Sequence, residues 1–236
     1  MADKVAVYTG TRNVYPQMYV SLKSLLLNTD MDRVYLMIED DEFPYPIPKN
    51  VLVANVKDQI FFPKGSANYN TSYSYMELLR CALGLMLQQE KTVLWLDIDT
   101  IINDDISDLF ETDMSNYMYA GAIEPQKCRN IFSYVNVGVL LCNLEALRET
   151  EREAAMIAFL NNYPFDYPGQ DVINLLCQGY IRQIGSEYNC TDWTIPCNRP
   201  KIIHFAAIKP EQYKRTWAYR KYESIELPLV EVKDDN

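Results

Sequence analysis

Asp97 and Asp99 stand two residues apart at the end of an apolar run, within VLWLDIDTII. A buried carboxylate is costly unless it is paired, hydrogen-bonded or bound to a cation. Residues two apart in a strand share a face, so the two side chains are predicted to aim together. In open α/β sheets, ligands bind in the crevice outside the carboxyl ends of the strands. Two hard oxygen ligands aimed at such a crevice suit Mg²⁺ or Mn²⁺ carrying a diphosphate. The competing reading is that one Asp caps a turn and the other is solvated. A D-x-D triplet alone is weak evidence for the metal; the apolar flank brings the two readings level.

His204, the one histidine in the chain, ends a second apolar stretch, KIIHF. A lone histidine on an apolar strand is more often a satisfied core residue than a ligand, yet imidazole readily joins carboxylates around Mn²⁺. Lys209, five residues on, is placed to reach a phosphate as a point charge; its plainer reading is a solvated lysine.

These groups need elements to hold them. Lys4 to Gly10 reads as a short buried strand ending in a polar turn to Asn13, followed by a helix that starts near Pro16. Arg33 to Glu39 and Val51 to Val56 read as strands. Phe62 to Ser72 lacks any period, and a loop of that length in a compact domain is usually functional; it is predicted to close over a bound ligand. A helix reaching about Leu87 has Leu78, Ala82, Leu85 and Met86 as its apolar stripe, with Arg80 off it. Further strands are read in YMYAGAIE, NVGVLLCNL, YIRQIG and KIIHFA. A long charged helix runs from Glu145 to about Asn161, and a short one begins at Gln170. Alternating strands and helices predict an α/β fold with a Rossmann-like, mostly parallel central sheet. No linker divides it, so one domain is expected over residues 1–236.

A net charge of -10 argues against a nonspecific nucleic-acid binder, which needs clustered Lys and Arg. No Cys pair is spaced C-x-x-C, so the six cysteines read mostly as small buried hydrophobes of a reducing compartment; Cys190 and Cys197 are the pair that could close. With neither an N-terminal apolar segment nor a membrane-spanning stretch, a cytoplasmic protein is the default expectation.

Five segments together resemble glycosyltransferase family 8, the group that includes bacterial lipopolysaccharide galactosyl- and glucosyltransferases and glycogenin. VYTGTRNVYPQMYVSLKSL resembles its first strand and helix. MELLRCALGLMLQQEKTVLWLDIDTII resembles its Arg helix and D-x-D strand. YVNVGVLLCNL is similar to its sugar-binding strand, and YPGQDVINLLCQG with IIHFAAIKP resembles its last two motifs. Their order and spacing cover residues 4–210, which leaves 211–236 as a C-terminal extension.

The resemblance implies a GT-A fold and a retaining transfer from a UDP-sugar, UDP-glucose or UDP-galactose. It implies Mn²⁺ (or Mg²⁺) held by Asp97, Asp99 and His204, with Lys209 on the diphosphate. Tyr8, Thr9, Thr11 and Asn13 would hold uridine, with Ile98 in the same nucleotide-binding set. Arg80, Asn136 and Gln170 would hold the donor sugar. Taken alone, Asn136 reads as a strand-end turn residue, Gln170 as a helix N-terminal residue and Arg80 as a surface partner of Glu77. Two departures stand out: Gly169 precedes Gln170 where the family commonly has Asp, and HFAAIKPEQ is one residue shorter than the family's phosphate loop. The acceptor is left as a glycan, a lipid-linked sugar or a protein. A nucleotide-sugar-binding pseudoenzyme and a glycogenin-like self-glycosylating protein are the alternatives. Tyr213 to Tyr222 interleaves Lys and Arg with aromatics, which suits weak, salt-sensitive contact with an anionic membrane. The favoured reading is a helix that packs its aromatics on the domain.

Overall fold

The computed structural model describes residues 3–69, 71–125, 133–191, 197–206 and 208–227. Its strands are β1 (Val5–Gly10), β2 (Arg33–Ile38), β3 (Val51–Asn55), β4 (Thr92–Leu96), β5 (Thr100–Ile102), β6 (Tyr119–Ile123), β7 (Val135–Asn143), β8 (Ile181–Ile184) and β9 (Ile202–His204). Its α-helices are α1 (Tyr15–Asn28), α2 (Leu83–Met86), α3 (Leu144–Arg148), α4 (Arg152–Asn162), α5 (Pro168–Leu176), α6 (Pro210–Tyr213) and α7 (Trp217–Glu223). Seven strands form one sheet in the order β3-β2-β1-β4-β7-β6-β8, and β5 and β9 form a separate pair. The large sheet is mostly parallel, with β7 antiparallel to both β4 and β6.

The unbroken apolar runs of the central strands follow from burial on both faces. Val5, Val7, Val93 and Trp95 enter one core, while Ala6, Tyr8, Leu94 and Leu96 enter the other. After Thr92 β4 therefore has no solvated face, and the next polar side chains appear where it ends.

Two elements differ from the sequence expectation. The helix reaching Leu87 is a 3-10 turn over Tyr75–Cys81, capped by Ser74, followed by α2. Winding at three residues per turn puts Glu77 and Arg80 on one edge; Arg80 is buried, while Leu85 of the expected stripe, in α2, is exposed. The long charged helix is two, α3 and α4, and the Asn143 side chain caps α3 by accepting from Ala146 N–H at 3.1 Å. In the segment expected to close over a ligand, Phe62 is buried and Asn68 donates to the Leu160 and Tyr163 carbonyls at 2.6 and 2.7 Å. Cys190 and Cys197 are thiols and form no disulfide, and Cys128 lies outside the described residues.

The C-terminal aromatics pack as the favoured reading expects. Tyr213, Tyr219 and Tyr222 join Val20 of α1, Ile101 of β5 and Phe205 in a third core, and Lys23 Nζ donates to the Glu223 and Ile225 carbonyls at 2.8 Å. Trp217 stays exposed. Among the described residues no helix is long and apolar enough to cross a membrane.

Glu153 of α4 is a buried carboxyl. One oxygen accepts Gly84 N–H at 2.7 Å, and the other has no hydrogen-bond partner. Desolvation pushes the carboxyl up from 4.5 to about 7. The folded protein thus keeps a proton that the unfolded chain releases, and stability is expected to fall as pH rises through that window, by up to about 3 kcal/mol. Glu153→Gln is expected to flatten this decline and to raise the unfolding midpoint at about pH 8. Chemical unfolding across the pH range checks it, and an unchanged profile in the variant would contradict it.

Candidate active site

Asp97 follows directly on β4, and the pair sits in a turn rather than in the strand. Thr100 N–H and Thr100 Oγ1 both donate to the Asp97 carbonyl, at 3.2 and 2.8 Å. Asp97 N–H donates to the Gly138 carbonyl of β7 at 2.7 Å, and Phe205 N–H donates to the Asp99 carbonyl at 3.0 Å. The two carboxylates converge because this turn is clamped on both sides, not because strand residues alternate.

The same turn leads into β5, whose pairing with β9 sets Thr100 opposite His204. His204 is thereby brought over the carboxylates: Nε2 lies 3.3 Å from Asp99 Oδ1 and 3.9 Å from Asp97 Oδ2. One ligand atom from each of Asp97, Asp99 and His204 falls within 4.8 Å of the others. Gly138 makes room for the ring, since a Cβ there would stand 2.1 Å from His204 Cε1.

The other oxygen of Asp97 is occupied. Oδ1 accepts Trp95 Nε1 at 2.7 Å and Arg80 Nη2 at 3.1 Å. Arg80 also donates to the Val137 and Glu77 carbonyls, at 2.7 and 2.8 Å, and its guanidinium lies over the Trp95 ring. It is a buried strut that fixes Asp97; Glu77 is its partner as expected, with Oε2 3.7 Å from Nη2, but the pair is not on the surface on the Arg80 side. Burial alone would lower the His204 pKa, but Asp99 and then Asp97 outweigh it and raise it. Burial alone would raise the Asp99 pKa, but His204 outweighs it and the net shift is down. Desolvation, then Asp97 across the crevice, pushes Glu77 up to about 8.

These groups line a crevice of about 510 Å³. Thr9, Thr11, Asn13, Arg80 and Ile98 line it, as do Asp97, Asp99, Asn136, Gln170 and His204. Thr9 Oγ1 is held by the Met76 carbonyl at 3.0 Å. Gln170 and Asn136 share a partner that sequence reasoning missed: Glu124 Oε2 accepts Asn136 Nδ2 at 3.0 Å and Gln170 Nε2 at 3.2 Å. An acid at the end of an apolar strand, YMYAGAIE, was the available signal. Asn189, whose Oδ1 lies 2.8 Å from His204 Nδ1, gave none. Ser72, Tyr73 and Ser74 form part of the wall near Tyr167.

Two expected residues fall elsewhere. Tyr8 is fully buried, and its hydroxyl accepts from Ser21 Oγ, which also lies 3.0 Å from Thr100 Oγ1. Tyr8 therefore buttresses the turn from behind instead of meeting a base. Lys209 is exposed at the N-terminus of α6 and does not line the crevice.

A profile of glycosyl transferase family 8 matches residues 6–211. A Haemophilus influenzae protein named as a glycosyltransferase is 24% identical over 212 residues, spanning 78% of this chain and 62% of its own length. Glycosyltransferase GlyA of Streptococcus pneumoniae is 23% identical over 240 residues, spanning 92% of this chain and 34% of its own. The chain thus spans about three fifths of the first relative and one third of the second. Among solved structures, the glycosyltransferase GlyE of Streptococcus pneumoniae aligns over 96% of this chain and 61% of its own, with TM-score 0.71 and 18% identity. Galactosyltransferase LgtC, solved with donor and acceptor sugar analogues, aligns over 92% of this chain and 93% of its own, with TM-score 0.67 and 18% identity. These structures share the GT-A fold with this chain.

The fit of His204 over Gly138 is open to test. Gly138→Ala is expected to fold with a loss of about 1–3 kcal/mol from overpacking and to push the imidazole off Asp99. Mn²⁺ affinity is expected to fall at least about tenfold, the scale seen when ligand orientation is lost. Calorimetric titration with Mn²⁺ reads this; wild-type affinity in the variant would contradict the placement of the ring.

Proposed function

The chain belongs to glycosyl transferase family 8, and from that premise we propose that it transfers a hexose from a UDP-sugar to an acceptor hydroxyl with a divalent cation at Asp97, Asp99 and His204. It is a glycosyltransferase; donor, acceptor, metal and stereochemistry are the proposal. The observation that carries it is the convergence of three ligand atoms within 4.8 Å at the floor of the crevice. Two carboxylate oxygens and one imidazole nitrogen suit Mn²⁺, and Mg²⁺ less closely.

Bound there, the cation would neutralise charge that develops on the departing diphosphate. The protein's own groups do the rest. Arg80 and Trp95 hold Asp97 so that Oδ2 faces the centre of the site. Gly138 lets backbone and ring come close. Glu124 holds the amides of Asn136 and Gln170 toward the crevice, where they meet the hydroxyls of the donor sugar. Thr9 to Asn13 form the nucleotide end. Crevice walls limit water around a hydrolysable sugar. Retention of anomeric configuration follows from the family resemblance. The acceptor is a glycan, a lipid-linked sugar or a protein; with Tyr213, Tyr219 and Tyr222 buried, any membrane attachment rests on Trp217 and the nearby cations and is weak.

A UDP-release screen across UDP-sugars with Mn²⁺ tests the reading. Turnover is expected with UDP-glucose or UDP-galactose, and UDP binding without release would indicate a pseudoenzyme. Asp97→Asn and Asp99→Asn are each expected to weaken Mn²⁺-dependent UDP binding by more than about 100-fold, since groups behind a metal ligand alone cost 10–100-fold. Full activity in either variant would overturn the metal assignment.

A further inference from the structure

A chain of amide orientations runs through the site, and each link is forced by the one before it. Gly138 N–H is a backbone donor and reaches Asn136 Oδ1 at 3.0 Å, so that atom is the oxygen. The far end of the same amide agrees, because Asn136 Nδ2 donates to the Glu124 carboxyl at 3.0 Å. Asn189 meets Asn136 Oδ1 at 3.0 Å, so it must present its Nδ2 there. The Asn189 atom that faces His204 is then its oxygen, at 2.8 Å from Nδ1. An amide oxygen can only accept, so Nδ1 carries the hydrogen. The nitrogen left to face Asp97 and Asp99 is Nε2.

We infer that Asn189 is a positioning residue that keeps the His204 proton on Nδ1 and so reserves Nε2 for the divalent cation. The inference deepens the metal site proposed above and rests on it. Asn189 is fully buried, so no water competes for its amide. Its backbone is held as firmly: Asn189 N–H donates to the Ser186 carbonyl at 3.1 Å, and the next residue brackets β9 through Cys190 N–H to Ile202 and His204 N–H to Cys190, at 2.9 and 3.0 Å. A histidine ligand needs its second nitrogen anchored to fix tautomer and ring angle. Here the anchor also grips Asn136, so one amide joins the metal end of the crevice to the sugar end.

The single histidine makes the test direct, because a protein labelled with ¹⁵N-histidine gives only the ring signals of His204. In protein saturated with Mg²⁺, Nδ1 is expected to carry its proton and Nε2 to carry none and to shift on Mg²⁺ addition. Asn189→Ala is expected to lose the single protonated Nδ1 signal and to bind Mn²⁺ about 10–100-fold more weakly. Asn189→Asp, which keeps an acceptor beside Nδ1, is expected to restore that signal. Melting temperatures of all three proteins separate a folding defect from a change at the ring. A protonated Nε2 in Mg²⁺-loaded wild type would overturn the inference even if neither variant folds. So would a folded Asn189→Ala with wild-type ring signals and Mn²⁺ affinity. Wild-type protein that binds neither ion would instead sink the metal site itself.

Discussion

The antiparallel pairing of Thr100 with His204 is the contact on which the candidate site depends. It joins the strand after the D-x-D turn to a strand that lies far along the chain, outside the large sheet. Everything on the crevice floor is held relative to this pair. Asp97 is fixed to β7 through the Gly138 carbonyl, Asp99 to the residue after β9, and the ring of His204 to the space above Gly138. Behind it, Ser21 links Tyr8 of β1 with Thr100, so the first strand supports the turn through a chain of hydroxyls.

Electrostatics give the arrangement its chemical direction. Asp97, Asp99, Glu77 and Glu124 all line one crevice, against Arg80, the one Lys or Arg among the described residues that line it. Arg80 is committed to Asp97 Oδ1 and two carbonyls. The opposing shifts of His204 and Asp99 show the same imbalance: the carboxylates favour positive charge beside them strongly enough to overcome burial of the imidazole. The divalent cation proposed here would supply that charge, and Asp97, Asp99 and His204 would hold it together.

Much of this was legible in the sequence, for physical reasons that can be named. A strand buried on both faces must be apolar throughout, so Val93 to Leu96 announced β4 and the end of β4 announced the site. Asp97, Asp99 and His204 were visible as costly groups beside apolar runs. The reason given for the convergence of the carboxylates was strand alternation, while a clamped turn brings it about. Arg80 was misplaced because helical spacing put it off the apolar stripe, and a 3-10 turn has a different period. Asn189 and Glu124 were illegible as partners, since side-chain hydrogen bonds between distant segments leave no period behind.

Diffraction from a crystal containing Mn²⁺ and UDP tests the central claim most directly, through the anomalous scattering of the metal. The account predicts one strong peak bounded by Asp97, Asp99 and His204 Nε2, with the diphosphate of UDP completing its coordination. A metal bound elsewhere in the crevice, or UDP seated there at full occupancy with no peak between these three side chains, would contradict it.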